Sequence, residues 1–261
     1  MQGMEFDADL IACAQLVERG DPDRFAAVMA APPQARQALF PIYAFNIEVS
    51  RAPWVTQETM IAEMRLQWWR DALAEIRAAK EVRRHEVVTP LAQVLDVQGA
   101  DLLDELTSAR RWDVYRDPFE DMAHFRDYLN KTSGNLLLTA ARSLGSVPEQ
   151  VIRQAGYALG VANWLRAVPA LEQAGRVPLV EGTTDAVRAL AHEGLEALVV
   201  ARKGRRDIAT SVRPALLPMW QVAPVLRVAA RDPRRVADAT LELSPIRRRA
   251  GLMAAAATGR W

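Results

Sequence analysis

From Leu10 to the C-terminus apolar residues recur at three- and four-residue spacing, and nowhere do they alternate over a useful length. That period belongs to helices with one buried face, so the chain is read as all-α, with no internal repeat. Phe6, Leu10, Cys13, Ala14, Leu16 and Val17 make the first apolar face, stopped by Gly20. Asp21-Pro22 has the form of a capping residue followed by proline in the first turn, and opens a helix over Asp23 to Ala31. Pro32-Pro33 ends it and starts the next, which runs to Arg51 before Pro53. Thr56 to Glu58 opens a long helix through about Ala79, with Ile61, Met64, Leu66, Trp68, Trp69, Leu73 and Ile76 on the pattern. Both tryptophans are expected in the core.

The charged 80s form a connection. Two short helices are predicted at Pro90 to Val97 and Asp101 to Arg110. Asp117-Pro118-Phe119-Glu120 has the capping Asp, the first-turn Pro and the Glu three residues on that mark a helix start. That helix is expected to continue through Ser133-Gly134-Asn135 to Leu144 and close at Gly145. Pro148 opens another, to about Ala167, with a loop from Pro169 to Gly182. Helices resume at Thr184 and reach the Ala-rich end. In the last segment, Ser244 to Trp261, Arg247-Arg248-Arg249 precede Leu252 and Met253. The expectation is a helix packed on the domain with its arginines solvated, the alternative a helix lying on a membrane surface.

With 261 residues the chain can bury a large core, and it is expected to form one domain over 1–261. A formal net charge of +1 gives no global attraction to nucleic acid, so none is expected as a partner. The single cysteine, Cys13, excludes an internal disulfide and fits a reducing compartment. Charges interrupt the N-terminal apolar residues, and no run approaches the roughly 20 needed to span a bilayer. The expected location is the cytoplasm, with at most peripheral contact at the inner membrane.

Two stretches carry a family resemblance. Pro32-Pro33-Gln34-Ala35-Arg36 through Tyr43-Ala44-Phe45 to Ser50-Arg51, and Gly160-Val161-Ala162-Asn163-Trp164-Leu165-Arg166-Ala167 through Leu171 to Gly175-Arg176, resemble the two active-site segments of the squalene/phytoene synthase family. Tyr128 to Gly145 resembles its middle helix. The resemblance implies an isoprenoid synthase type helical fold around a central cavity. It also implies a chemistry in which magnesium, held by paired aspartates, withdraws a diphosphate leaving group. Those aspartates fall here on Ser50 and Arg51, and on Ala167 and Leu171, where no metal can be held. Neither metal nor cofactor is therefore expected. Asp113, Asp117 and Asp121 straddle a helix start and are read as surface and cap. Asp101, Asp104 and Glu105 are read as the solvated face of a short helix.

Arg51, Asn163, Arg166 and Arg176 form a candidate anion site through the same resemblance, the alternative being that each arginine is already paired. Glu63-Met64-Arg65-Leu66-Gln67-Trp68-Trp69-Arg70, with Ala44-Phe45-Asn46-Ile47-Glu48 and Leu165-Arg166-Ala167, resembles the complex I assembly factor 6 group, which shares the fold and also lacks the paired aspartates. That likeness implies a non-catalytic assembly or interaction factor whose partners are respiratory complex I subunits. Two alternatives stand beside it: a prenyltransferase of phytoene or squalene type, and a protein that binds a prenyl or other lipid in the old cavity.

Overall fold

The computed structural model describes residues 7–56 and 58–261, so Phe6 lies outside the described residues. Among these, helices alone form the regular structure. Local chemistry sets the first three. The Asp7 carboxylate accepts from the Leu10 amide at 2.8 Å and starts α1, Ala8–Gly20. Asp21 accepts from the Arg24 amide at 2.9 Å, with Pro22 in the first turn of α2, Pro22–Met29. The Pro32-Pro33 pair then opens α3, Pro33–Arg51. This helix is buried on nearly every side from Ala38 to Ile47, and it absorbs Pro41 within its length.

Helix α4, Thr59–Arg77, begins later than its sequence signal because the Thr56 hydroxyl accepts from the Glu58 amide at 3.1 Å and holds a turn there. Its buried stripe is Ala62, Leu66, Trp69 and Leu73, while Met60, Ile61 and Met64 are exposed. Trp69 meets Phe45 edge to face at 5.3 Å. Trp68 is only half-buried, with the Arg83 guanidinium 4.8 Å over its ring. One of the two expected core tryptophans therefore packs on the rim, since adjacent residues on a helix point about 100° apart.

Two expected boundaries move. Asp96 accepts from the Gly99 amide at 2.6 Å and divides α5, Val88–Val94, from α6, Val97–Ala109, so Val97 to Asp101 belongs to the second helix. After α7, Trp112–Tyr115, the segment 117–120 does not start a helix. Phe119 is drawn inward and stacks on Trp112 at 4.0 Å with planes 9° apart. Burial of that ring outweighs the local capping signal, and Asp121 caps α8, Met122–Leu129, instead. A π-helical turn at Asn130–Gly134 joins α8 to α9, Asn135–Arg142.

Helix α10, Glu149–Gln173, passes through Pro169 and ends a turn and a half later than expected. It lies directly on the π turn, where a side chain at Gly156 would bring its Cβ to 2.8 Å from Gly134 Cα. α11, Thr184–Lys203, packs on α10. α12, Val222–Arg231, packs on α11, followed by short α13, Arg234–Ala237. α14, Pro245–Thr258, leans on the 3-10 segment Arg213–Gln221. One hydrophobic core runs from Leu10 to Trp261. No helix among the described residues is long and apolar enough to cross a membrane.

Trp69→Ala should lower unfolding stability by about 3–5 kcal/mol, and Trp68→Ala by clearly less. Urea denaturation of the two variants checks the order; a larger loss at Trp68 would contradict the packing.

Candidate functional site

Helices α2, α3 and α10, the π turn and the C-terminal segment enclose a cavity of about 850 Å³. Ser50 and Arg51 line it from α3, and Ala167 and Leu171 line it from α10. The four positions where the resemblance places metal-binding aspartates thus share one cavity. The Ser50 hydroxyl donates to the Ile47 carbonyl at 3.1 Å, and Arg51 is exposed at the edge with no partner among the described residues.

Of the candidate anion residues, the fold brings Arg51, Asn163 and Arg166 to the lining. Arg176 stands outside it, 6% exposed, with its guanidinium donating to the Asp113 backbone carbonyl and lying 4.9 Å from the Trp54 ring. Burial pushes the Arg176 pKa down.

Arg166 meets Asp23, a residue with no role in the sequence reading beyond its place in a helix. The Asp23 carboxylate accepts from Arg166 Nη2 at 3.0 Å, from Gln221 Nε2 at 3.0 Å and from Arg248 Nη2. Glu242 lies 3.8 Å from Arg166 on the exposed side. Arg248 is therefore not one of the solvated arginines expected of the last helix: it reaches into the cavity and ties α14 to α2. Burial pushes the Asp23 carboxyl up, but Gln221, Arg248 and Arg166 outweigh it and hold it below the ordinary aspartate value of 3.8.

A second paired cluster lies deeper. Asp113 is 4% exposed, accepting from the Tyr128 hydroxyl at 3.0 Å and from Arg110 Nη1 at 3.1 Å. Reading Asp113 as surface is corrected by this burial: the aromatic cluster of Trp112, Phe119, Tyr128 and Trp164 draws α7 inward and takes Asp113 with it. Burial and the neighbouring carboxylate push the Tyr128 hydroxyl well up, against the pull of Arg110. Asp117 stays exposed, and Asp121 is the cap already described. On α6 the acidic residues are not merely solvated, since Asp104 takes both donors of Arg70 at 2.7 and 3.0 Å and Glu105 accepts from Asn135 at 2.9 Å. Asp23, Asn46, Arg110, Asp113, Tyr128 and Arg248 also line the cavity, and none of them is assigned to a site from the sequence.

The donor set does not fit magnesium. Asp21, Asp23 and Asp113 each accept from a guanidinium, Glu242 lies near one, and no group of three or more potential ligands gathers among the described residues.

Comparison with known proteins bears on the family and the fold. The family model for squalene/phytoene synthase matches residues 17–182. The chain belongs to the squalene/phytoene synthase family. Among solved structures of this family's fold, a dehydrosqualene synthase superposes with a TM-score of 0.79 at 16% identity, covering 94% of each chain. Squalene synthase HpnC from Alicyclobacillus acidocaldarius gives 0.68 at 16% identity, covering 85% of this chain and 93% of that one. The fold is accordingly the isoprenoid synthase type, all-helical. Among curated relatives, the complex I assembly factor 6 homologue of Drosophila melanogaster is 29% identical over 180 residues, 64% of this chain and 53% of the fly protein. The human complex I assembly factor 6 is 23% identical over 173 residues, 60% of this chain and 48% of its own. This chain spans about half the length of the curated relatives it matches.

Because the folded Asp23 carboxyl titrates below its unfolded value, its contribution to stability is complete above that value and is lost as pH falls through the lower folded one. Asp23→Asn should cost on the order of 2 kcal/mol at neutral pH. The gap between variant and wild type should then close on acidification below about pH 4. Urea midpoints across that range test it; a gap that does not change with pH would contradict the pairing.

Proposed function

We propose that this protein is a non-catalytic member of the squalene/phytoene synthase family that acts in the assembly of respiratory complex I. The observation that carries the reading is the joint loss of carboxylates at Ser50, Arg51, Ala167 and Leu171, all on the wall of one cavity. Diphosphate departure needs charge neutralised as it develops, and a serine, an arginine, an alanine and a leucine hold no magnesium for that purpose. A prenyltransferase would need a second ligand set, and the carboxylates that line the cavity are committed to arginines. Relatives named as complex I assembly factor 6 in fly, cattle, human and mouse support the cellular role. The partners under this reading are complex I subunits, met in the cytoplasm or at the surface of the inner membrane. Exposed apolar residues suit such contacts: Met60, Ile61 and Met64 on α4, with Trp54 and Val55 in the segment that leads to it.

Deletion of the gene in its own respiring cell should lower assembled complex I, seen as NADH dehydrogenase activity on a native gel of the membranes. A plasmid copy should restore it. Unchanged complex I in the deletion strain would overturn the assembly role.

A further inference from the structure

The cavity offers an incoming anion little free positive charge. Five arginines line it: Arg24, Arg51, Arg110, Arg166 and Arg248. Arg24 meets Asp21 at 2.6 Å, Arg110 meets Asp113 at 3.1 Å, and Arg166 and Arg248 both meet Asp23. Only Arg51, at the exposed edge, has no partner among the described residues. Asp23 therefore sits where a phosphate would have to sit to be held by Arg166 and Arg248 together. A carboxylate already accepting from two guanidiniums and an amide repels a second anion and must be displaced from all three.

Neutral recognition groups are present in the same wall. Asn46 is 7% exposed, lines the cavity from α3, and its amide has no hydrogen-bond partner among the described residues. Asn163 lines it from α10, likewise without a partner there. Asn46 stands one helical turn before Ser50, and Asn163 one turn before Ala167, so each amide lies on the face that turns to the cavity. A buried amide seeks both a donor and an acceptor, which a hydroxyl or carbonyl oxygen supplies without adding charge. Around them Leu129, Leu136, Leu159 and Trp164 give an apolar surface. The volume lies within the range of about 300–1,000 Å³ typical of small-molecule sites.

We propose that this cavity binds a neutral amphiphile, a long-chain alcohol or carbonyl compound held by Asn46 and Asn163, and that Asp23 excludes the anionic counterpart. The inference concerns the ligand and stands apart from the assembly role: it is read on purified protein, the assembly role in cells.

The probes are farnesol and farnesyl diphosphate, which share a tail and differ in charge, titrated calorimetrically into the full chain without metal. Farnesol should bind at least about tenfold more tightly than the diphosphate, and Asn46→Leu should weaken farnesol by about fivefold or more. Asp23→Asn, with its fold checked by circular dichroism and melting, should raise diphosphate affinity about tenfold and leave farnesol within about twofold. Asp23→Ser serves where the asparagine variant does not fold. Equal or tighter diphosphate binding by the wild type overturns the proposal, as does no farnesol binding. So does a folded Asp23 variant with the wild-type preference. The comparison on the wild type stands even if neither variant folds.

Discussion

The pairing of Asp23 with Arg166, Arg248 and Gln221 joins parts of the chain that are 143 to 225 residues apart. It fixes α2 near the start, α10 in the middle and the last helix at the end around one space. α14 buries little of itself: Ala255 is its one fully buried residue, Leu252 packs on the core, and Ile246 and Met253 are largely exposed. Beside the Asp23 contact, the final helix leans on the 3-10 segment, with Gly251 against Trp220, and is followed by the buried Trp261, whose carbonyl accepts from Arg202 at 2.6 Å. The same carboxylate gives the cavity its electrostatic character, because it satisfies the two arginines that would otherwise face an open anion site.

Such a fold can lose its chemistry without losing its shape. The walls are set by apolar packing: α3 is buried through two to three turns by Leu39, Phe40, Ile42, Phe45 and Val49, and α10 meets the π turn backbone to backbone at Gly156 and Gly134. Ser50, Arg51, Ala167 and Leu171 are on the surface that faces the cavity, and of the four only Leu171 also packs on the hydrophobic core. Carboxylates there would repel one another without a metal, so replacing them removes a cost to the folded state. The superposition on a dehydrosqualene synthase shows the fold held at 16% identity.

Much of this was legible in the chain itself. The helices, the cap at Asp21 and the helix start at Pro33 follow from period and proline placement, because those signals act within one or two turns, whereas the positions facing the cavity come from the family resemblance. The false helix start at Asp117 shows the limit: a correct local cap signal yields to burial of Phe119 against Trp112, a contact set by tertiary packing. The pairings that define the site were not legible for the same reason. Nothing near Asp23 in sequence announces Arg166 or Arg248, and Asp113 resembles any surface acid until the aromatic cluster carries it inward. Arg176 followed the family pattern but ended under Trp54. The resemblance located the wall and could not say which of its charges were already matched.

The central claim is that the family's helical shell persists here without its metal-dependent chemistry. The most direct test is release of inorganic diphosphate from geranylgeranyl diphosphate by the purified protein, with and without magnesium, beside an active phytoene synthase as control. The account predicts release no greater than in the protein-free blank at any magnesium concentration. Magnesium-dependent release that scales with protein and survives further purification would contradict it.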